Sequence, residues 1–179
     1  MTLGKPLPHD SAHLHVTGQA RYIDDLPVPA GCLHLAFGTS PTAHGLIEST
    51  DLTTVRTTPG VVAVLTAADL PFANDVSPAA HDEPLLAVDK VHFAGQPVFL
   101  VVATSHLAAR KAARLGKVTI RELPAILTID DALAAGSRFE GGPVIWEMGD
   151  ADAAIAAAVR VVEGSIEIGG QEHFYLEGQ

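Results

Sequence analysis

An α+β domain with a mixed or antiparallel sheet is what the sequence predicts, and three observations carry that expectation. Short alternating or β-branched runs take turns with alanine-rich stretches along the 179 residues. Two early strand-like runs, 32–40 and 43–50, lie too close in sequence for a crossover helix and are expected to pair as a hairpin. A long segment rich in proline, aspartate and asparagine, 71–92, speaks against a regular doubly wound fold.

Taken in order, residues 1–17 mix Pro6, Pro8 and three histidines with little periodicity and read as an extended arm. Gly18, Pro27, Pro29 and Gly31 then surround the acidic pair Asp24 and Asp25 in a turn-rich connection. The run 32–40 alternates, 43–50 follows it, and 60–66 is continuously apolar. Between the last two, Asp51 is placed to cap a helix and Pro59-Gly60 to stop it, giving a strand, helix, strand series. The segment 71–92 reads as a solvated surface loop with room for one short strand.

"PVFLVVAT" at 97–104 has the composition of a buried strand. Ser105 stands where an N-cap belongs, "HLAARKAARL" is helix-forming, and Gly116 occupies a C′ position. "KVTIREL" resumes as a strand. Thr128 precedes Asp131 by three residues, an acidic variant of the capping box, and Gly136 ends the helix that box opens. Asp150 caps a last helix in which Ile155 and Val159 are spaced i, i+4, and 160–169 is the final clear strand. Gly149-Asp150 is a candidate boundary.

Composition excludes several functions. With 47% hydrophobic and 18% charged residues the chain buries a real core and is not disordered. Eleven Lys+Arg against 21 Asp+Glu leave a formal charge of −10, with no basic cluster evident, so nucleic acid is not an expected partner. The single Cys32 forms no internal disulfide and ligates no iron-sulfur cluster by itself; in an apolar strand it reads as a structural thiol. No stretch is long enough to span a bilayer, and the amino terminus lacks a signal-peptide pattern, so the expected location is the cytoplasm.

Candidate chemistry is sparse. His9, His13 and His15 crowd within seven residues; on a strand the last two would share a face and meet one ion, although solvated histidines on an arm are the favoured reading. The neighbours Asp24 and Asp25, like Asp130 and Asp131, point in different directions on either a strand or a helix and suit turns and caps better than acid/base work. Gly141 and Gly142 lack the Lys-Ser/Thr of a phosphate cradle. Gly169-Gly170-Gln171 is the most informative triplet. Two glycines permit positive φ or close approach to the backbone, and Gln171 brings both an amide donor and an acceptor. A glycine bulge with a solvated Gln171 and a ligand-facing amide both remain open on these residues alone.

Five ordered blocks carry a resemblance: "TGQARYIDDLP", "TPGVVAVLTAADLP", "VHFAGQPVFLVVATS", "ELPAILTIDDAL" and "GGQEHFYLEGQ". Together they resemble the molybdenum-binding subunit of bacterial xanthine dehydrogenases, within the wider xanthine dehydrogenase and aldehyde oxidase family. The resemblance covers essentially the whole chain. It implies an α/β-hammerhead domain with a mixed sheet over 18–135, after the arm 1–17, and the beginning of a molybdopterin-binding domain over 136–179.

In that family the glutamine of G-G-Q lies beside the molybdenum and donates its amide to a metal-bound oxygen, a role the resemblance assigns to Gln171. The implied reaction is hydroxylation of hypoxanthine or xanthine to urate, with electrons leaving through iron-sulfur clusters and FAD on a partner subunit to NAD, in a heterotetramer. No catalytic residue of the family maps onto this segment. A neutral hydrogen bond contributes about 0.5–1.5 kcal/mol net, whereas millimolar affinity requires about 4 kcal/mol, so Gln171 alone is not expected to retain the cofactor. The chain thus reads as an inactive amino-terminal fragment, and the aromatic alternation at 173–176 as a strand wanting a partner. "GKPLPHDSAHLHVTGQARYIDDLP" and the closing "EGQ" favour the xanthine branch over aldehyde oxidases and carbon monoxide dehydrogenases, which share the domain. A non-enzymatic, partner-binding module is the alternative from a different class.

Overall fold

The computed structural model describes residues 4–78, 81–138, 142–171 and 173. The chain divides into two compact units, Gly31–Trp146 and a second made of Met1–Ala30 with Glu147–Gln179.

In the second unit, α1 (Ala12–Val16) is a single turn within the stretch expected to be an extended arm. Ser11 begins the local bonding that winds it, its carbonyl accepting from both Leu14 and His15. A 3-10 turn, Ile23–Asp25, follows, with the Tyr22 amide donating to Asp25 Oδ2 at 2.9 Å.

Among the described residues Gly31–Trp146 contains six strands. They are β1 (His34–Thr39), β2 (Gly45–Asp51), β3 (Val61–Leu65), β4 (Lys90–Val91), β5 (Pro97–Ala103) and β6 (Lys117–Glu122). Helix α2 (Thr53–Arg56) links β2 to β3, α3 (His106–Ala113) links β5 to β6, and α4 (Ile129–Ala134) follows β6. The strands form two three-stranded sheets, ordered β1-β5-β3 and β4-β2-β6. Every pairing is antiparallel, so of the two sheet types the sequence admitted the fold takes the second.

The expected β1–β2 hairpin does not form, because the two strands belong to different sheets. A polar turn diverts the chain between them. Ser40 is buried; its hydroxyl donates to the Thr42 carbonyl and accepts from the Thr42 amide, while its backbone amide donates to the Gln96 carbonyl. β1 is thereby tied to β5 and β2 is released to pair elsewhere.

β5 lies at the centre of its sheet, which explains its unbroken apolar run: Val98, Phe99, Val101 and Ala103 are all buried. Around Phe99 and Val101 the core gathers Leu52 and Val55 from the α2 region, Val64 of β3, Val91 of β4 and Ala112 of α3. Ala109 and Ala112 sit one turn apart on the face of α3 that meets the sheet, and their small side chains let the helix approach closely.

Phe99 also corrects the reading of Gly116. The helix ends at Ala113 with Arg114 as its C-cap, and Gly116 is required for space: a Cβ there would lie 2.3 Å from the Phe99 ring. Gly38 is held by the same ring, with 1.9 Å to a hypothetical Cβ. Two glycines therefore make the slot for one aromatic side chain.

Caps fall close to expectation. Ser105 Oγ accepts from the Ala108 amide at 3.2 Å, and Thr128 Oγ1 accepts from the Asp131 amide at 3.1 Å while donating to its carboxylate at 2.7 Å. Gly136 adopts φ 62° beyond α4. Asp51 differs: it is the last residue of β2, and its Oδ1 accepts from the Thr53 amide, leaving Leu52 in the cap position.

The 71–92 segment is not a simply solvated loop. It contains β4 as its short strand, and it buries Leu86 and Ala87. Asn74 anchors it twelve residues away by two hydrogen bonds to Leu86, donating from Nδ2 to the carbonyl at 2.7 Å and accepting at Oδ1 from the amide at 2.9 Å. The amide side chain thus substitutes for a strand partner, satisfying the backbone that Leu86 takes into the core.

Candidate functional site

The segment that carries Gly169-Gly170-Gln171 begins with α5 (Ala151–Ala156), whose cap, Asp150 Oδ1, accepts from the Ala153 amide at 2.8 Å. The helix ends before Val159, so the expected Ile155–Val159 pair is not formed on it. Residues 160–169 carry no regular secondary structure and, among the described residues, join no sheet, contrary to the expected strand: alternation alone makes no strand without a neighbouring ladder to satisfy its amides. Val162, Ile166 and Ile168 are exposed.

After this stretch Gln171 is exposed, and neither glycine before it shows positive φ. A Cβ built on Gly169 or Gly170 would meet nothing within 4 Å. Among the described residues nothing therefore crowds a Cβ position on the backbone before Gln171, and Gln171 is exposed. This fits a single amide contact to a bulky ligand and supplies no enclosing wall. Gly141, the aromatic run 174–176 and Gly178 fall outside the described residues.

The remaining candidates separate. His13 and His15 lie on the helical turn α1, not on a strand, so residues two apart project from different sides. His9 and His15 have ring centroids 6.4 Å apart, and His9 Nδ1 is engaged by Ser11. Among the described residues no group of three or more His, Cys, Asp or Glu side chains is placed to hold a metal ion. Asp25 and Asp131 serve caps. Cys32 precedes β1 and is exposed, not inside an apolar strand.

Sequence reasoning passed over three arrangements. Asp75 accepts from the Ser77 amide at 2.9 Å and pairs with His81 Nδ1 at 2.5 Å; the Ser77 bonds first, and His81 after them, hold its carboxyl down at about 2. His44 and His92 have centroids 6.4 Å apart; burial first, then Lys90 and His44, lowers His92 from its ordinary value. The third is a groove of about 620 Å³ in Gly31–Trp146 bordered by Arg110, Arg114 and Lys117. Its signal was present in "ARKAARLGK", where four of the eleven cations fall between 110 and 117.

Comparison with known proteins matches residues 17–124 to the model for "Aldehyde oxidase and xanthine dehydrogenase, a/b hammerhead domain". The chain is 40% identical over 179 residues to a xanthine dehydrogenase of Oryza sativa subsp. japonica and 44% identical over 178 residues to aldehyde oxidase 1 of Rattus norvegicus. Each alignment covers 99% of this chain and 13% of the relative, so the chain spans a small part of these proteins. Among solved structures, quinoline 2-oxidoreductase from Pseudomonas putida 86 superposes with a TM-score of 0.73 at 31% identity, covering 92% of this chain and 23% of that one. The two small antiparallel sheets with few helices are the hammerhead architecture that the resemblance implied. Among the described residues no helix is long and apolar enough to cross a membrane.

Proposed function

The chain belongs to the aldehyde oxidase and xanthine dehydrogenase family, and on that premise we propose that it contributes to the molybdenum-cofactor subunit of a cytoplasmic purine hydroxylase acting on hypoxanthine or xanthine. In this reading 1–17 is an arm, 18–135 the hammerhead domain and 136–179 the opening of the molybdopterin-binding domain. The cofactor, when bound, supplies oxygen-atom transfer and takes up the substrate's electrons, which pass to iron-sulfur clusters and FAD of a partner subunit within a heterotetramer and then to NAD.

The observation that carries the proposal is the exposed Gln171 behind two glycines with no described neighbour in reach of a Cβ. Bare backbone lets a bulky cofactor come close, and the amide N–H donates to it. Because one such bond contributes only about 0.5–1.5 kcal/mol, Gln171 orients the cofactor and does not retain it. The test is Gln171→Ala in the complete protein assembled with its partner subunit. Xanthine turnover per bound molybdenum is expected to fall by about tenfold, corresponding to about 1.4 kcal/mol. Unchanged turnover at equal molybdenum content overturns the assignment.

A second reading keeps the reaction class and changes the substrate. Aldehyde oxidases and xanthine dehydrogenases stand together at 40–44% identity to this chain, which keeps an aldehyde as the alternative. Competing xanthine with an aromatic aldehyde on the complete protein separates the two: preferential consumption of the aldehyde would replace the purine reading and leave the role of Gln171 intact.

A further inference from the structure

We infer that the groove beside β1 is a docking site for an extended, acidic segment of a partner polypeptide, added as a strand along β1. The groove is lined on one side by Phe37 and Thr39 of β1 with Pro41, and on the other by Arg110, Arg114 and Lys117. Among the described residues no acidic residue lines it, although the chain carries 21 in all. All three cations are exposed, and none forms an ion pair with a described carboxylate. Asp51 stands opposite Lys117 in the β2–β6 ladder, outside the groove lining, so part of one positive charge is already offset. Arg110 and Arg114 remain, four residues apart and therefore on the same side of the helix end.

Backbone geometry selects an extended occupant. β1 and β6, which both contribute to the groove, are the outermost strands of their respective sheets. An outer strand presents a row of unpaired amides and carbonyls, and an added strand satisfies them. β1 also exposes Leu35 at 56% and Phe37 at 48%, two residues apart and so on one face, where alternate apolar side chains of an added strand would rest. Acidic side chains on the same occupant meet the two arginines. Selectivity then divides in the ordinary way: main-chain pairing and apolar contact hold the segment, and charge chooses it and fixes its register.

The test uses fluorescein-labelled, end-capped peptides of alternating glutamate and valine, with two controls: lysine in place of glutamate, and methyl groups on alternate peptide nitrogens. Anisotropy on the full chain is expected to show binding of the glutamate peptide alone, with at least about tenfold weaker binding for each control. Arg114→Glu is expected to weaken binding by about tenfold, whereas Lys111→Glu, an equal charge change on the same helix outside the groove, leaves it within about twofold. Far-UV circular dichroism of the two variants checks that each remains folded. Several results overturn the inference: no binding of the glutamate peptide, equal binding of either control, or equal loss from Lys111→Glu. Displacement of the peptide by tripolyphosphate with no effect of N-methylation would make the groove a small-anion site. A self-associated chain in sedimentation that Arg114→Glu dissolves, and that the peptide leaves intact, would give the groove to a second copy.

Discussion

Two segments of this molecule are written in the same strand grammar and end differently. β5 and the stretch 160–169 are both rich in valine and isoleucine or leucine, yet Phe99 in the first is 1% exposed and Ile166 in the second 84% exposed. β5 has β1 on one side and β3 on the other, and a helix and the second sheet's residues over it. The later stretch pairs with no strand among the described residues. The difference teaches that local pattern proposes a strand and neighbours make one, since an isolated ladder neither satisfies its amides nor removes apolar surface from water.

The sharpest way to break the contrast is at Phe99. Phe99→Ala is expected to cost about 3–5 kcal/mol, measured by urea denaturation, because it empties a slot shaped by Gly38 and Gly116. Gly38→Ala drives a Cβ into the same ring and is expected to cost about 1–3 kcal/mol. In a Phe99→Leu background the Gly38→Ala cost should shrink by at least about 0.5 kcal/mol, since the two residues share the space; strict additivity would refute the shared slot.

Caps sharpen the comparison at smaller scale. Ser105→Ala should lower the denaturation free energy of the chain by about 1 kcal/mol, because α3 places Ala109 and Ala112 in the core. Asp150→Ala removes an equivalent bond from α5, which buries no residue, so it should leave that free energy within about 0.5 kcal/mol and appear only as faster amide exchange at Ala153.

The smallest effect concerns acid. The Asp75 carboxyl sits at about 2 in the folded chain, below its ordinary 3.8, so it contributes stability that is complete above about pH 4 and lost as the pH falls toward 2. Asp75→Asn should flatten that part of the stability–pH curve. The 160–169 stretch, joined to no sheet among the described residues, should show no change in exchange protection, measured relative to the intrinsic rate at each pH, over the same range.

Much of the fold was legible because its signals are local. The caps at Ser105, Thr128 and Asp150, the buried run at 97–103 and the ends of most strands each depend on a few adjacent residues. The role of Gly116 was misread because a C′ glycine and a glycine under an aromatic ring are identical in sequence; only the position of Phe99 distinguishes them. The loop at 71–92 was read as solvated because polar residues dominate it, whereas the Asn74–Leu86 pair that buries its end spans twelve residues.

The sequence by itself determined most elements of Gly31–Trp146, the α+β class and the Gly169-Gly170-Gln171 triplet as the place to look for ligand chemistry. Tertiary structure decided which strands are neighbours, separating β1 from β2, and it gathered Arg110, Arg114 and Lys117 beside Phe37 into one groove. The physical reason is range: capping, turn formation and periodicity act between residues a few positions apart, while sheet pairing, core packing and groove formation are settled by which distant surfaces bury each other at least cost.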